Sequence, residues 1–222
     1  MAQLTAYKHE GDTVSVPLVA DATWEIYKDG VVQSDLANAT EFVCATGIYE
    51  VKYTLQVGGN TETAIYTVFA EAQGVTFFIP QATDMTKIAI ESLEYPSTFV
   101  FDENVNALKA EGTRILYQDF SFIWNTGIKA PVSKFVMYFY NASEADLTLV
   151  HSWGNTTVLK AGQWTRVEPA CSQPHLDGWS GGIGGTQIGL DADGEYLMQI
   201  SANMSNVTGG TNYTIYMAGC YI

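Results

Sequence analysis

The chain has 222 residues, enough for two domains of ordinary size, each with its own core. Its 10 basic against 24 acidic residues give a net charge of −14, a field that repels phosphate backbones and anionic lipid, so nucleic acid and membrane surfaces are excluded as partners. Charged residues make up only 15%, so Thr, Ser, Asn and Gly supply the surface polarity, as in secreted β-proteins.

The opening Met1-Ala2-Gln3 lacks the charged and apolar regions of a signal peptide, so any leader is expected to have been removed and secretion is an inference. No apolar run approaches the 18 residues of a membrane span; residues 75–79 are the longest candidate and stop at Pro80. Cys44, Cys171 and Cys220 are too few and too scattered for a disulfide scaffold or a zinc site. Cys44 reads as a buried small hydrophobe, and a Cys171–Cys220 bridge stays open.

In the first stretch, Val14, Val16 and Leu18 alternate, and Trp24, Ile26 and the turn Lys28-Asp29-Gly30 lead into Val31-Val32 as a hairpin. The clearest strand follows Gly47, with Tyr49, Val51, Tyr53, Leu55 and Val57 on one face and Glu50, Lys52, Thr54 and Gln56 on the other. Gly58-Gly59-Asn60 closes a turn, and residues 63–70 return as the last strand of a domain spanning 1–72. Trp24 is expected in its core. The run Gly47-Ile48-Tyr49-Glu50-Val51-Lys52-Tyr53, followed by Gly59-Asn60 and Tyr66-Thr67-Val68, resembles the end of bacterial surface immunoglobulin-like domains. That resemblance implies a spacer. The chain has Val57-Gly58 where that family carries an aspartate before its Gly-Asn turn.

Gln73-Gly74 and Pro80-Gln81-Ala82-Thr83 break the pattern, so the boundary is placed near residue 73 and a second domain over 73–222. Residues 83–93 fit a short helix or an alternating strand equally well. From residue 98 the chain reads as β throughout, with strands over 98–101, 115–123, 134–140, 147–153, 157–159, 164–167, 187–190, 196–201 and 212–222 separated by Gly, Asn and Asp turns. Such a series makes an antiparallel sandwich. The segments Phe99-Val100-Phe101-Asp102, Phe120-Ser121-Phe122-Ile123-Trp124, Phe135-Val136-Met137-Tyr138-Phe139-Tyr140-Asn141 and Leu159-Lys160-Ala161-Gly162-Gln163-Trp164-Thr165-Arg166-Val167, with a closing Thr214-Ile215-Tyr216, together resemble the jelly-roll carbohydrate-binding modules of plant-polysaccharide degraders. The resemblance implies that Trp164 packs beneath the sheet. It ends at Tyr216-Met217-Ala218-Gly219-Cys220, where the family commonly has a Tyr-x-Asp-Asp run. The expected architecture is all-β: two β-sandwich domains, immunoglobulin-like and then jelly roll.

The candidate ligand site lies between residues 147 and 189. Trp179 sits in a loop with five glycines in the eight residues 178–185, so no regular element covers its ring. Trp153 stands at a strand end beside Gly154. An aromatic ring presents an apolar plane to the C–H face of a pyranose, while polar side chains take the sugar hydroxyls. His175, Asp177, Asn155 and Gln187, with Gln173 beside them, are available for that rim. The glycine cluster lacks the Gly-Lys-Ser/Thr ending of a phosphate loop. No cofactor is expected; a structural calcium stays open at Asp102-Glu103-Asn104 or at Asp191-Ala192-Asp193-Gly194-Glu195. The Asn-x-Ser/Thr sequons at Asn38, Asn141, Asn155, Asn203, Asn206 and Asn212 follow from an Asn/Thr-rich composition.

The expected function is a non-catalytic, extracellular or cell-surface polysaccharide-binding protein, with starch favoured over xylan or β-glucan because the tryptophans stand on separate turns. Such a protein serves a larger glycan-degrading assembly. The alternatives are an adhesive surface module that binds protein, and a small glycosidase, which would need two facing carboxylates.

Overall fold

The structure is a computed structural model that describes residues 3–87, 98–113, 120–129, 132–150, 156–168, 170–171, 187–190, 193–203 and 210–222. The chain divides into two compact units, Met1–Thr76 with Asp102–Asn106, and Phe77–Phe101 with Ala107–Ile222. Both are all-β sandwiches. Among the described residues no helix is long and apolar enough to cross a membrane.

The first unit contains β1 (Gln3–His9), β2 (Thr13–Ser15), β3 (Ala22–Lys28), β4 (Val31–Val32), a 3-10 turn (Ser34–Leu36), β5 (Glu41–Val43), β6 (Gly47–Val57) and β7 (Asn60–Glu71). One sheet has the order β1-β7-β6-β3-β4, and β2 and β5 form a two-stranded sheet. Val14 and Phe42 from the small sheet meet Ile26, Val51, Tyr53 and Val68 from the large one in a single core. The period of two read in β6 is the core face of a sandwich from Tyr49 to Leu55, while Val57 at the hairpin end is exposed. Its two hairpin turns have positive φ at both central residues, Asp29 and Gly30 at 50° and 79°, Gly58 and Gly59 at 57° and 87°. That geometry matches the twist of paired strands and favours Asp-Gly or Gly-Gly.

Trp24 packs half-buried on this core, tilted against Tyr53 at 5.9 Å, with its indole N–H donated to the Ala39 carbonyl at 3.0 Å. Cys44 is buried, and its thiol donates to the His9 carbonyl at 3.2 Å. Burial, and then the nearby Asp12 carboxylate, push that thiol's pKa up. The turn Asp102–Asn106 belongs to this unit: Thr5 Oγ1 donates to the Val105 carbonyl at 2.6 Å and the Tyr7 hydroxyl to the Asn106 carbonyl at 2.8 Å. Within the turn, Asp102 Oδ1 accepts the Asn104 amide at 3.0 Å.

The second unit is built from β8 (Thr76–Phe78), a 3-10 turn (Ala82–Asp84), β9 (Met85–Lys87), β10 (Thr98–Asp102), β11 (Ala107–Thr113), β12 (Phe120–Lys129), β13 (Phe135–Asn141), β14 (Leu147–Val150), β15 (Thr156–Leu159), β16 (Trp164–Val167), β17 (Ala170–Cys171), β18 (Gln187–Leu190), β19 (Glu195–Asn203) and β20 (Asn212–Tyr221). One sheet has the order β10-β11-β20-β13-β16, with β8 also on β20; the other has β15-β14-β19-β12-β9, with β18 on β19 and β17 on β18. Leu108, Phe135, Met137, Phe139, Ile215 and Met217 from the first sheet interdigitate with Trp124, Leu147, Leu159 and Met198 from the second. Gly219 is where β20 is pressed most closely: an added Cβ would stand 2.7 Å from the Val136 carbonyl oxygen and 2.6 Å from the Phe78 ring.

Three findings differ from, or complete, the reading of this half. Residues 82–84 form a 3-10 turn and 85–87 a strand, while the rest of the 83–93 segment lies outside the described residues. Strand β11 was not expected, because Ala107-Leu108-Lys109-Ala110-Glu111 favours a helix by propensity; pairing with β20 from Leu108↔Met217 to Thr113↔Asn212 overrides it. Asn141 is 0% exposed and its side-chain N–H groups are given to two carbonyls, so this sequon is a structural element and no acceptor for a glycan.

Asp146 illustrates how charge is used at the surface of this unit. Its Oδ2 accepts from Lys160 Nζ at 2.6 Å and its Oδ1 from the Ala161 amide at 3.0 Å, and these donors, the lysine first, lower its pKa. A carboxylate depressed in the folded state contributes stability that is present above its unfolded pKa and lost as the pH falls through the folded one. The Ala161 amide resonance is therefore expected to shift only below the ordinary aspartate range, near pH 3.9. A midpoint at or above that value would remove the ion pair from the account.

Candidate functional site

Of the residues expected to form the ligand site, Trp179, Trp153, His175, Asp177 and Asn155 lie outside the described residues. Gln187 opens β18, in register with Ala170 on β17 and Gln199 on β19. The described residues gather a different set of rings, on the sheet β11-β20-β13-β16.

Pairing in that sheet fixes which side chains share a face. On β13, Phe135, Met137 and Phe139 point into the core, so Val136, Tyr138 and Tyr140 occupy the opposite face. Tyr140 lies opposite Tyr216 of β20 on one side and opposite Trp164 of β16 on the other, and Tyr216 in turn lies opposite Lys109 of β11. A transverse row Trp164, Tyr140, Tyr216, Lys109 thus crosses four adjacent strands. Ring centroids are 5.4 Å apart from Trp164 to Tyr140 and 6.1 Å from Tyr140 to Tyr216, with interplanar angles of 44° and 52°. Tyr140 and Tyr216 are half-buried, while Trp164 is 7% exposed and Val136, Tyr138 and Ala218 on the same face are buried.

Trp164 is buried, as the resemblance implied, but it belongs to the face directed away from the core. Val167, three residues on, is the one that enters the core. A tryptophan opening a short strand has either face open to it, and only the register with Tyr140 decides. A signal for this face does exist in the sequence: in 135–140 the hydroxyl-bearing Tyr138 and Tyr140 alternate with Phe135, Met137 and Phe139. In an unbroken apolar run, tyrosine marks the side where a polar tip finds a partner.

Ion pairs frame the row. Lys109 meets Glu111 at 3.1 Å, and Glu168 accepts from Lys134 at 2.8 Å and from Arg166. Lys134 and then Arg166 hold Glu168 below the usual glutamate range. Among the described residues no group of three or more His, Cys, Asp or Glu side chains could hold a metal ion. Partly exposed aromatic rings inclined to one another and bordered by charged groups suit an uncharged, hydroxyl-rich ligand with an apolar face.

No family model and no curated protein matches the chain. Among solved structures it is similar to the CBM51-2 and INT domains of Clostridium perfringens ZmpB in complex with GlcNAc, at 9% identity and a TM-score of 0.29, covering 99% of this chain and 46% of that one. The structure of CBM51-2 and INT domains from the same protein gives 8% identity, the same coverage and a TM-score of 0.29. A chimeric titin Z1Z2–Z1Z2 tandem functionalized with a GRGDS peptide from fibronectin gives 14% identity, 95% and 92% coverage and a TM-score of 0.27. The chain spans less than half of the first two, and likeness at this level carries no assignment of function.

Proposed function

We propose that this chain is a non-catalytic polysaccharide-binding protein that acts outside the cell or on its surface, with the second unit as the binding module. The observation that carries this reading is the transverse aromatic row on the outward sheet face, with Tyr140 and Tyr216 in reach of solvent. Trp179 and Trp153, with His175, Asp177, Asn155 and Gln187 as the hydrogen-bonding rim, are the further contacts in this proposal. A flat crystalline glycan asks for coplanar rings, whereas the rings of the row are inclined by 44° and 52°. Inclined rings follow a curved chain, which favours an α-glucan such as starch over xylan or mixed-linkage β-glucan. In the first unit, β7-β6-β3 facing the β2–β5 pair corresponds to strands G-F-C facing B-E of an immunoglobulin-like sandwich. A spacer serving a larger glycan-degrading assembly is the role that arrangement supports.

Affinity electrophoresis in gels containing amylopectin, xylan or β-glucan tests the reading. Retardation is expected to be strongest in amylopectin. Tyr216→Ala and Trp179→Ala are each expected to cost about 1–3 kcal/mol of affinity, the range of aromatic hot spots, with unchanged thermal unfolding. Stronger retardation in xylan or β-glucan would overturn the α-glucan choice. No retardation in any gel would favour a protein-binding adhesive module.

A further inference from the structure

The large sheet of the first unit is buried on both sides where β7 and β1 run. Val68 and Ala70 enter the core, so Thr67, Phe69 and Glu71 occupy the opposite face, yet all three are buried. On β1, paired as Thr5↔Thr67 and Tyr7↔Phe69, Thr5 is buried and Tyr7 stacks on Phe69 with ring centroids 5.6 Å apart. The turn Asp102–Asn106 lies on this face and belongs to the same unit. Thr5 Oγ1 donates to the Val105 carbonyl at 2.6 Å, the Tyr7 hydroxyl donates to the Asn106 carbonyl at 2.8 Å, and Val105 is itself buried. Burial pushes the pKa of the Tyr7 hydroxyl up to about 12, so it keeps its proton, and its donor role, at neutral pH. The turn is also stiff in its own right: the Asp102 carbonyl accepts the Val105 and Asn106 amides at 3.2 and 2.8 Å, and Asn106 takes a left-handed φ of 56°.

This turn is not continuous in sequence with the rest of its unit. The chain leaves the first unit after Thr76, returns to it for Asp102–Asn106 only, and belongs to the second unit on either side of that turn. The carbonyl that Tyr7 holds is in the peptide joining Asn106 to Ala107, and Ala107 and Leu108 are fully buried, Leu108 in the core of the second unit. Strand β11 starts there and is held to β20 from Leu108↔Met217 to Thr113↔Asn212. While those pairs stand, the turn is delivered to β1 already formed. Once they open, its five residues must be ordered afresh, and that cost exceeds the return from two hydroxyl hydrogen bonds.

We propose that the Asp102–Asn106 turn is a plug through which the two units draw stability from each other, so that the first keeps its full strength only while the second is folded. This goes beyond the glycan reading and stands independently of it. The coupling is reciprocal: a free energy gained only when both units are folded is lost to either one when the other opens. A chain whose second unit has opened therefore exposes its first unit to proteolysis as well.

Native-state amide hydrogen exchange on the full chain tests this, read at Val68 in the first unit and at Met217 in the second. Tyr7→Phe combined with Thr5→Val removes both hydroxyl donors and keeps the side-chain shapes. The pair is expected to speed exchange at Val68 and at Met217 by a similar factor, about tenfold, the scale of two buried hydrogen bonds. Met137→Asp puts a carboxylate into the core of the second unit and opens it, and exchange at Val68 is then expected to rise by at least that factor. Acceleration at Val68 alone in the hydroxyl variant would give Thr5 and Tyr7 a role confined to the first unit and overturn the proposal. Unchanged protection of Val68 in Met137→Asp would overturn it too.

Discussion

Trp124→Ala is expected to lower the stability of the second unit by about 3–5 kcal/mol, and Trp124→Phe by much less. Trp124 is 2% exposed in the middle of β12, between β19 and β9, and lies against Phe78 with ring centroids 4.9 Å apart. Alanine leaves a cavity that the two sheets cannot close, because Phe139, Met137 and Met198 are held in their own pairings. Phenylalanine leaves a smaller gap and also removes a buried indole N–H that has no hydrogen-bond partner among the described residues. Relieving such a group recovers roughly 1–3 kcal/mol, which offsets the lost volume. Denaturant unfolding followed by far-ultraviolet circular dichroism reads the difference, with the transitions of the two units fitted separately since a two-unit chain is not two-state. Equal losses for both variants would show that the N–H is satisfied in solution.

Strands with one wet face were legible in the sequence because their pattern is periodic. β6 and its Gly-Gly turn are the clearest case: Tyr49, Val51 and Tyr53 are buried where alternation put them, and the turn has the φ values that its glycines imply. What alternation cannot give is the partner of a strand. Nothing in Gln3-Leu4-Thr5-Ala6-Tyr7-Lys8-His9 says that it lies parallel to residues 65–71, because parallel pairing between chain-distant segments leaves no local signal. β11 was hidden for a different reason: its Ala, Leu, Lys and Glu residues favour a helix, and only the neighbouring strand β20 makes it extended.

The candidate site was less legible than the fold. A glycine-framed tryptophan such as Trp179 is conspicuous in a sequence because closely spaced glycines break every periodic pattern, and residues 178–185 lie outside the described residues. The outward row depends instead on three strands far apart in the chain, 135–141, 164–167 and 212–221, meeting at one register position. The strand 135–141 reads as nearly all apolar, a kind that conceals which residues face the core, and 164–167 is too short to show a period. Trp164 shows the consequence: its burial follows from its type, but its face follows only from pairing with Tyr140.

Asn141 is where a sequence motif and its structural meaning part most clearly, and its replacement is expected to be as costly as that of a core aromatic. It ends β13 and ties two loops together: its backbone carbonyl accepts from Gly162 at 2.7 Å, its Nδ2 donates to the Ala145 and Leu159 carbonyls at 2.8 and 2.9 Å, and its Oδ1 accepts from the Ser143 amide at 3.0 Å. Asn141→Ala removes the three side-chain bonds and leaves buried peptide groups to lose water without replacement. At about 1–3 kcal/mol for each group so stranded, the loss is expected to total on the order of 3–5 kcal/mol. Asn141→Asp keeps the shape but turns a carboxylate toward two carbonyl oxygens, so at neutral pH it is expected to be at least as damaging. Burial and those oxygens raise the introduced carboxyl's pKa in the folded state, so the folded state binds the extra proton and the deficit of Asn141→Asp shrinks as pH falls. Thermal melts of the two variants between neutral pH and pH 4.5 separate the cases: the aspartate variant should gain on the alanine variant as acid is added. A constant gap between them would mean that position 141 is reached by water and that the amide is not the anchor of these loops.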